Sequence, residues 1–312
     1  MTGRILSTSE GLNRDAFGIA DWSLFWGIGL IWGSSFLLMA IGLEAFDPGL
    51  ITWMRVGLGA AVLAVAPRAR RPVDREDWPR IAVLSLLWVA IPFTLFPVAQ
   101  QWINSAITGM LNGAMPIFAA TIAAILLRRL PRGAQMTGLA LGLLGVVAMS
   151  APSVGSGRTE AIGVLLILMA TVCYGFAVNI AAPVQQKYGS LPVMSRMLAL
   201  ATVWTAPLGI FGLSRSEFAW GPLVAISAAG VLGTGLAFVI MGSLVGRVGG
   251  TRASFITYVI PVVALVLGVV FLGDQVTVPA LIGVGLVIAG AILASRRESQ
   301  PLEATRSARN IS

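Results

Sequence analysis

The sequence predicts an all-α membrane protein, with ten transmembrane helices in two five-helix repeats of inverted topology. Three observations predict it. First, 57% of the 312 residues are hydrophobic and only 11% are charged, against about 25% charged in soluble domains. An apolar run that crosses a ~30 Å hydrocarbon core needs about 20 residues, and the chain is mostly such runs. Second, the stretch 81–150 is written twice, reappearing without a gap at 226–295. Phe93 meets Phe238, Pro116 meets Pro261, Gly138 meets Gly283 and Gly145 meets Gly290, each 145 residues on. Proline and glycine hold such a register for backbone reasons. Two similar half-molecules with a site between them follow from it. Third, the basic residues lie almost all on alternate connections, as worked out below.

Taken in order, the spans are placed at 22–43, 48–66, 79–100, 105–126, 133–151, 161–184, 192–213, 221–245, 251–272 and 279–295. Pro48, Pro79, Pro192, Pro222 and Pro279 sit near starts, where a missing N–H costs little. Short connections make successive helices antiparallel neighbours. Residues 1–20 are polar, read as a cytoplasmic segment with no signal peptide, so the first span itself targets the chain. Residues 21–151 form the first repeat, 160–295 the second, and 296–312 a polar cytoplasmic tail expected to be disordered.

Orientation follows from Lys and Arg in the connections. With the N-terminus inside, 17 of the 21 basic residues fall in inner segments; only Arg158 and Arg215 are outer, and Arg55 and Arg196 lie within spans. Both termini are therefore expected in the cytoplasm of a bacterial inner membrane. The net charge of +8 is accounted for without nucleic acid. Each repeat has an odd number of spans, so the second enters the membrane from the opposite side, the arrangement many alternating-access carriers use.

What is missing limits the chemistry. There is no histidine and only one cysteine, Cys173, which excludes a disulfide framework and leaves no metal site or cofactor expected. No Asp or Glu falls in the middle of a span; Asp21, Glu44, Asp47, Glu160, Glu217 and Asp274 sit at ends or in loops. Proton coupling usually rests on intramembrane carboxylates or histidines, and hydrolysis needs acid–base groups. The chain reads as neither an enzyme nor a proton-coupled carrier.

The intramembrane arginines leave two readings open. Arg55, about two turns into span 2, is either a functional charge or a side chain that snorkels outward or pairs with Glu44 or Asp47. Arg196, one turn into span 7, either has a role or snorkels to the cytoplasmic side. Ser105, Thr108, Asn112 and Pro116 share one face of span 4, and Ser254, Thr257, Tyr258 and Pro261 the matching face of span 9. Such stripes either join helices or line a wet cavity, and a proline frees a carbonyl that needs a partner other than lipid. Span 3 ends in Gln100 and Trp102. Span 1 carries Trp32, Ser35 and Phe36 and span 6 carries Tyr174 and Asn179, all cavity candidates unless they merely pack. Trp22, Trp26, Trp78 and Trp220 read as interface anchors. Gly138, Gly142 and Gly145 on span 5, with Gly283 and Gly290 on span 10, read as a close-packed scaffold.

These residues resemble the drug/metabolite transporter superfamily, in its ten-helix EamA-type exporters, and within it the bacterial aromatic amino-acid exporters of the YddG type. Ile31-Trp-Gly-Ser-Ser-Phe36 resembles the first-helix Trp-Gly-x-x-Phe, Met54-Arg-Val-Gly-Leu58 the arginine-bearing second helix, and 106–116 with 138–145 the end of the repeat. The likeness covers about 21–295. One departure is that members often carry an acid after spans 4 and 9. Asp274 fits the second copy, but Arg129 stands at the first. The resemblance implies a central cavity lined by spans 1, 3, 4, 6, 8 and 9. It also implies a transporter of small metabolites, pointing to amino acids including aromatic ones; with no titratable group placed mid-span, it is expected to work as an uncoupled uniporter. The alternatives are export of other metabolites or cationic drugs, and, from a different class, a membrane sensor or scaffold that transports nothing. The expected partners are a small-molecule substrate and the lipid bilayer, with no nucleic acid and a monomer as the default state.

Overall fold

The computed structural model describes residues 19–126, 133–156, 158–248, 253, 256, 257 and 259–295, and among them every regular element is helical. Ten rods follow one another: α1 Ile19–Leu43, α2 Pro48–Val65, α3 from Trp78 to Ala99, α4 from Ser105 to Leu126, α5 Gly133–Ser156, α6 Arg158–Tyr188, α7 Ser190–Leu213, α8 from Trp220 to Val248, α9 Val259–Leu272 and α10 Val278–Ser295. Among the described residues, seven are long and apolar enough to cross a membrane, and α5, α9 and α10 hold shorter apolar stretches. Leu143, Val147, Phe211, Val270 and Phe271 are among the large apolar side chains left exposed, as suits helices with a lipid-facing side. α9 begins at Val259, eight residues later than expected, α5 runs five residues past 151, and α6 runs four residues past 184 and closes at Gly189, whose φ of 78° suits glycine.

Local chemistry explains the starts. Asp47 caps α2, its Oδ1 accepting from Gly49 N at 2.8 Å, with Pro48 in the first position. Asn104 caps α4 by accepting from Ile107 N at 2.8 Å. Asp274, just after α9, adds a second acceptor there, taking Ser105 Oγ at 2.6 Å and Ala106 N at 2.9 Å. A carboxylate at a helix N-terminus satisfies otherwise orphaned donors and complements the dipole. The first-copy counterpart, Arg129, lies outside the described residues.

The duplication reaches into the backbone. α3 winds as a π-helix over Ser85–Ala90, and α8 does so over Ala229–Leu236, around the positions 145 residues later. π-helical turns of this kind are rare and concentrate at functional sites. α4 breaks between Asn112 and Met115, because Pro116 has no N–H for the carbonyl four residues back. In the second copy, Ile256 and Thr257 form a tight turn just ahead of α9 and Pro261. The two breaks abut: a Cβ on Gly113 would lie 2.6 Å from Pro261 Cγ.

The repeats interlock through symmetric glycine contacts. On α5 a Cβ at Gly145 would sit 2.6 Å from Gly283 O, and on α10 a Cβ at Gly290 would sit 2.5 Å from Gly138 O. These are equivalent contacts seen from either copy, so the α5–α10 seam lies on the pseudo-two-fold axis. Likewise Gly33 of α1 lets Val263 of α9 approach, and Gly175 of α6 lets the backbone at Phe118 and Ala119 of α4 approach. Each copy's first helix therefore packs on the other copy's fourth.

Loops tie both ends. At the basic end, Lys187 Nζ lies 2.8 Å from Asp74 Oδ2 and 2.8 Å from Asp77 Oδ2, and Tyr188 Oη donates to the same carboxylates. The hydrogen bond from Lys187, and then that from Tyr188, hold the Asp74 carboxyl below its usual range. Arg196 does not project into the bundle; it donates to the carbonyls of Ala69 and Arg71 in the neighbouring loop. At the opposite end, Glu217 N donates to Ala45 O at 2.8 Å and Asp47 N to Ser216 Oγ at 2.8 Å.

Candidate functional site

Two buried apolar clusters fill the bundle, and Trp32 and Tyr174 pack against both. Between the clusters lies a central cavity. Its walls come in pairs 145 residues apart: Phe93 with Phe238, Phe96 with Met241, Asn112 with Thr257, and Met115 with Ile260. Trp32 and Tyr174, 142 residues apart, form a further matched pair, each followed by the glycine that admits the other copy's helix. The cavity is thus built by the repeat itself, at the helix breaks and π-turns. It offers about 50 Å³, whereas a dry cavity of roughly 150 Å³ is needed to hold benzene. Anything larger than a few waters enters only if the lining side chains move.

The walls are aromatic. Phe238 sits 5.7 Å from Trp32, 5.8 Å from Trp88 and 5.7 Å from Phe93, ring centre to ring centre. Phe96 stacks on Tyr174 at 5.9 Å and meets Phe36 at 5.5 Å. Such offset and edge-on pairs stabilise by about 0.5–1.5 kcal/mol beyond burial. Trp32 is held by its Nε1, which donates to Gly233 O at 2.9 Å.

Besides Ser35 and Thr257, two polar side chains with unpartnered atoms interrupt this surface. Arg55 is only 5% exposed, and its guanidinium lies 4.6 Å from the centre of the Phe93 ring. It does not snorkel: the side chain lines the cavity, with Nε lacking a hydrogen-bond partner. Asn112 is 4% exposed, and its Oδ1 has no partner. Among the described residues no Asp or Glu lines the cavity.

Of the residues singled out in the sequence, Trp32, Ser35, Phe36, Asn112, Tyr174 and Thr257 come together at the cavity. Four do not. Thr108 donates to Asn104 O of its own helix at 2.8 Å. Asn179 donates to Ala119 O at 2.9 Å and Gly175 O at 2.8 Å, joining α6 to α4. Trp102 lies in the α3–α4 turn, 37% exposed. Gln100 lines a separate vestibule of about 550 Å³ with Glu44, Asp47 and Arg215, and its Nε2 donates to Phe36 O at 3.3 Å, bridging vestibule wall and cavity wall. Ser254 and Tyr258 lie outside the described residues. The helix breaks form at Pro116 and ahead of Pro261, as described above.

Asn179 offers a direct check of this division. Asn179→Ala should lower stability by about 0.6 kcal/mol, with roughly 1.7 as a ceiling for such bonds, and leave any flux per folded molecule unchanged. Thermal unfolding in detergent beside a liposome assay separates the two effects; lost flux at normal stability would put Asn179 back in the site.

Sequence reasoning missed Trp88, Phe93, Phe96, Met39, Met115, Phe238, Met241 and Ile260 as cavity residues. The usable signal is the repeat, since most of the cavity residues in the copied stretch have a partner 145 on that also lines it.

Comparison with known proteins agrees with this architecture. The model of the EamA-like transporter family matches twice, over residues 22–151 and 161–296. A protein of Streptantibioticus cattleyicolor named a probable terminal-alkyne amino-acid exporter is 28% identical over 286 residues, 89% of this chain and 94% of its own. An uncharacterized transporter of Archaeoglobus fulgidus is 23% identical over 269 residues, 85% of this chain and 95% of its own. The inner membrane transporter YedA of Escherichia coli K12 is 23% identical over 85% of this chain and 87% of its own. A solved crystal structure, 19% identical, superposes with a TM-score of 0.62 over 88% of this chain and 96% of that one, a likeness of fold.

Proposed function

The chain belongs to the EamA-like transporter family, a multi-pass membrane transporter, and on that premise we propose that it carries amino acids with large apolar side chains, aromatic ones included. Both termini lie in the cytoplasm, the cell exports the substrate, and passage is by alternating access through the central cavity. The observation that carries this reading is the cavity between the repeats, with ring walls for an apolar side chain and two polar groups without protein partners. Ligand sites of this kind are mostly apolar, with a few placed polar groups that fix orientation. The S. cattleyicolor relative, by its name an amino-acid exporter, supports the substrate class. Purified protein in liposomes should exchange labelled phenylalanine, tryptophan or leucine across the bilayer. A broad amino-acid panel in which nothing moves would overturn the reading.

Transport is uncoupled in this reading. A proton-driven carrier needs a group that titrates within the membrane. The chain has no histidine, and arginine does not deprotonate in proteins. The expected result is equilibration: under an imposed pH or sodium gradient, with membrane potential clamped, a net-neutral substrate reaches the same concentration on both sides. Accumulation well above the outside level would reveal a coupling site.

A further inference from the structure

We propose that Arg55 is the carboxylate anchor of the cavity and sets its selectivity, admitting amino acids and apolar carboxylates and rejecting amines and cationic drugs. This rests on the transporter reading above. A guanidinium 5% exposed inside a bilayer-spanning bundle is costly to desolvate, and it cannot shed its charge. Structural arginines in such places are paired with an acid or with carbonyls. Arg196 follows that rule, with its donors on Ala69 O, Arg71 O and Pro192 O. Arg55 does not. Among the described residues no carboxylate pairs with it, its Nε has no acceptor, and its guanidinium lies over the face of Phe93, 4.6 Å from the ring centre. A ring face offsets only part of the desolvation.

The complement to this charge is therefore supplied by the occupant. A carboxylate matches the guanidinium fork in geometry and charge. Across the same lining, Asn112 Oδ1 is a buried acceptor with no donor. A zwitterion answers both, with its carboxylate accepting from Arg55, its ammonium donating to Asn112, and its side chain against the rings. A cation without a carboxylate meets the like charge of Arg55 in a low-dielectric site, where repulsion is strongest. The anchor also breaks the cavity's two-fold symmetry, because the second copy's nearest arginine, Arg196, points into a loop.

The test compares phenylalanine, tryptophan and leucine with their decarboxylated amines and their deaminated acids. Ligand-induced thermal stabilisation and liposome flux are read on the wild-type protein and on Arg55→Gln and Arg55→Lys. In the wild type, the amino acids and deaminated acids should bind and the amines should not, by a factor of at least ten. Arg55→Gln should weaken amino-acid binding at least tenfold and raise relative acceptance of amines; Arg55→Lys should retain part of the affinity. Wild-type binding of amines equal to that of amino acids overturns the anchor and leaves the transporter reading standing, whether or not the variants fold. So does unchanged affinity in a folded Arg55→Gln. A wild type that neither binds nor moves any amino acid overturns the amino-acid reading, and the anchor with it.

Discussion

Asn112→Leu should reduce amino-acid flux at least tenfold and leave the protein as stable as the wild type, or slightly more so. The asymmetry comes from the partnerless Oδ1. A buried polar atom without a partner costs its desolvation, about 1–3 kcal/mol in proteins. Leucine has nearly the same shape and removes that cost. If the amide served helix packing, as Asn179 does through two donated bonds, its loss would lower stability and spare flux. A tenfold loss of rate corresponds to about 1.4 kcal/mol of transition-state stabilisation, in the range of a charge-assisted hydrogen bond to an ammonium. Melting temperature and flux per folded molecule are measured on the same preparation. Normal flux in a stable Asn112→Leu protein would take Asn112 out of the site.

The largest stability effect is expected at the α5–α10 seam. Gly290→Ala should destabilise by about 3 kcal/mol, the upper part of the range for overpacking. The added Cβ would lie 2.5 Å from both Gly138 O and Gly142 N. These are backbone atoms, so no side-chain rotation relieves the contact and the two helices must separate. In a bilayer, helix association depends on close van der Waals packing, so separation weakens the whole seam. Gly285, on the same helix, is the control: a Cβ there meets nothing within 4 Å. Gly285→Ala should be neutral or stabilising by roughly 0.5–1 kcal/mol, because alanine is the better helix former. Equal melting temperatures for the two variants would mean that the seam is not close-packed.

Much of this architecture is readable in the linear chain. The glycine faces on spans 5 and 10 mark both as close-packed helices, and the structure shows that they pack on each other. The register of 145 identified the equivalent helix breaks. Two residues show where reading stopped. Asn112 and Asn179 are the same amide in equally apolar spans, yet Asn179 Nδ2 donates to two carbonyls whereas Asn112 Oδ1 receives no donor. Arg55 and Arg196 differ in the same way, one facing rings and the other facing loop carbonyls. Phe93 and Phe238 were paired by the repeat, but their edge-on contact at 5.7 Å across the cavity has no trace in composition or spacing.

By itself the sequence determined the helical membrane class, the duplication, its inversion and the short list of polar groups. Composition and charge bias act through the bilayer, which sorts chains by length of apolar run and by where the arginines lie. The tertiary structure alone decided which of those polar groups face the cavity and which join helices. In lipid the outward surface of a helix is as apolar as its packed surface, so hydropathy carries no signal for rotation about the helix axis. That rotation is set by steric fit at Gly33, Gly113, Gly145, Gly175 and Gly290 and by hydrogen bonds such as Trp32 to Gly233, which exist only once the ten helices are assembled.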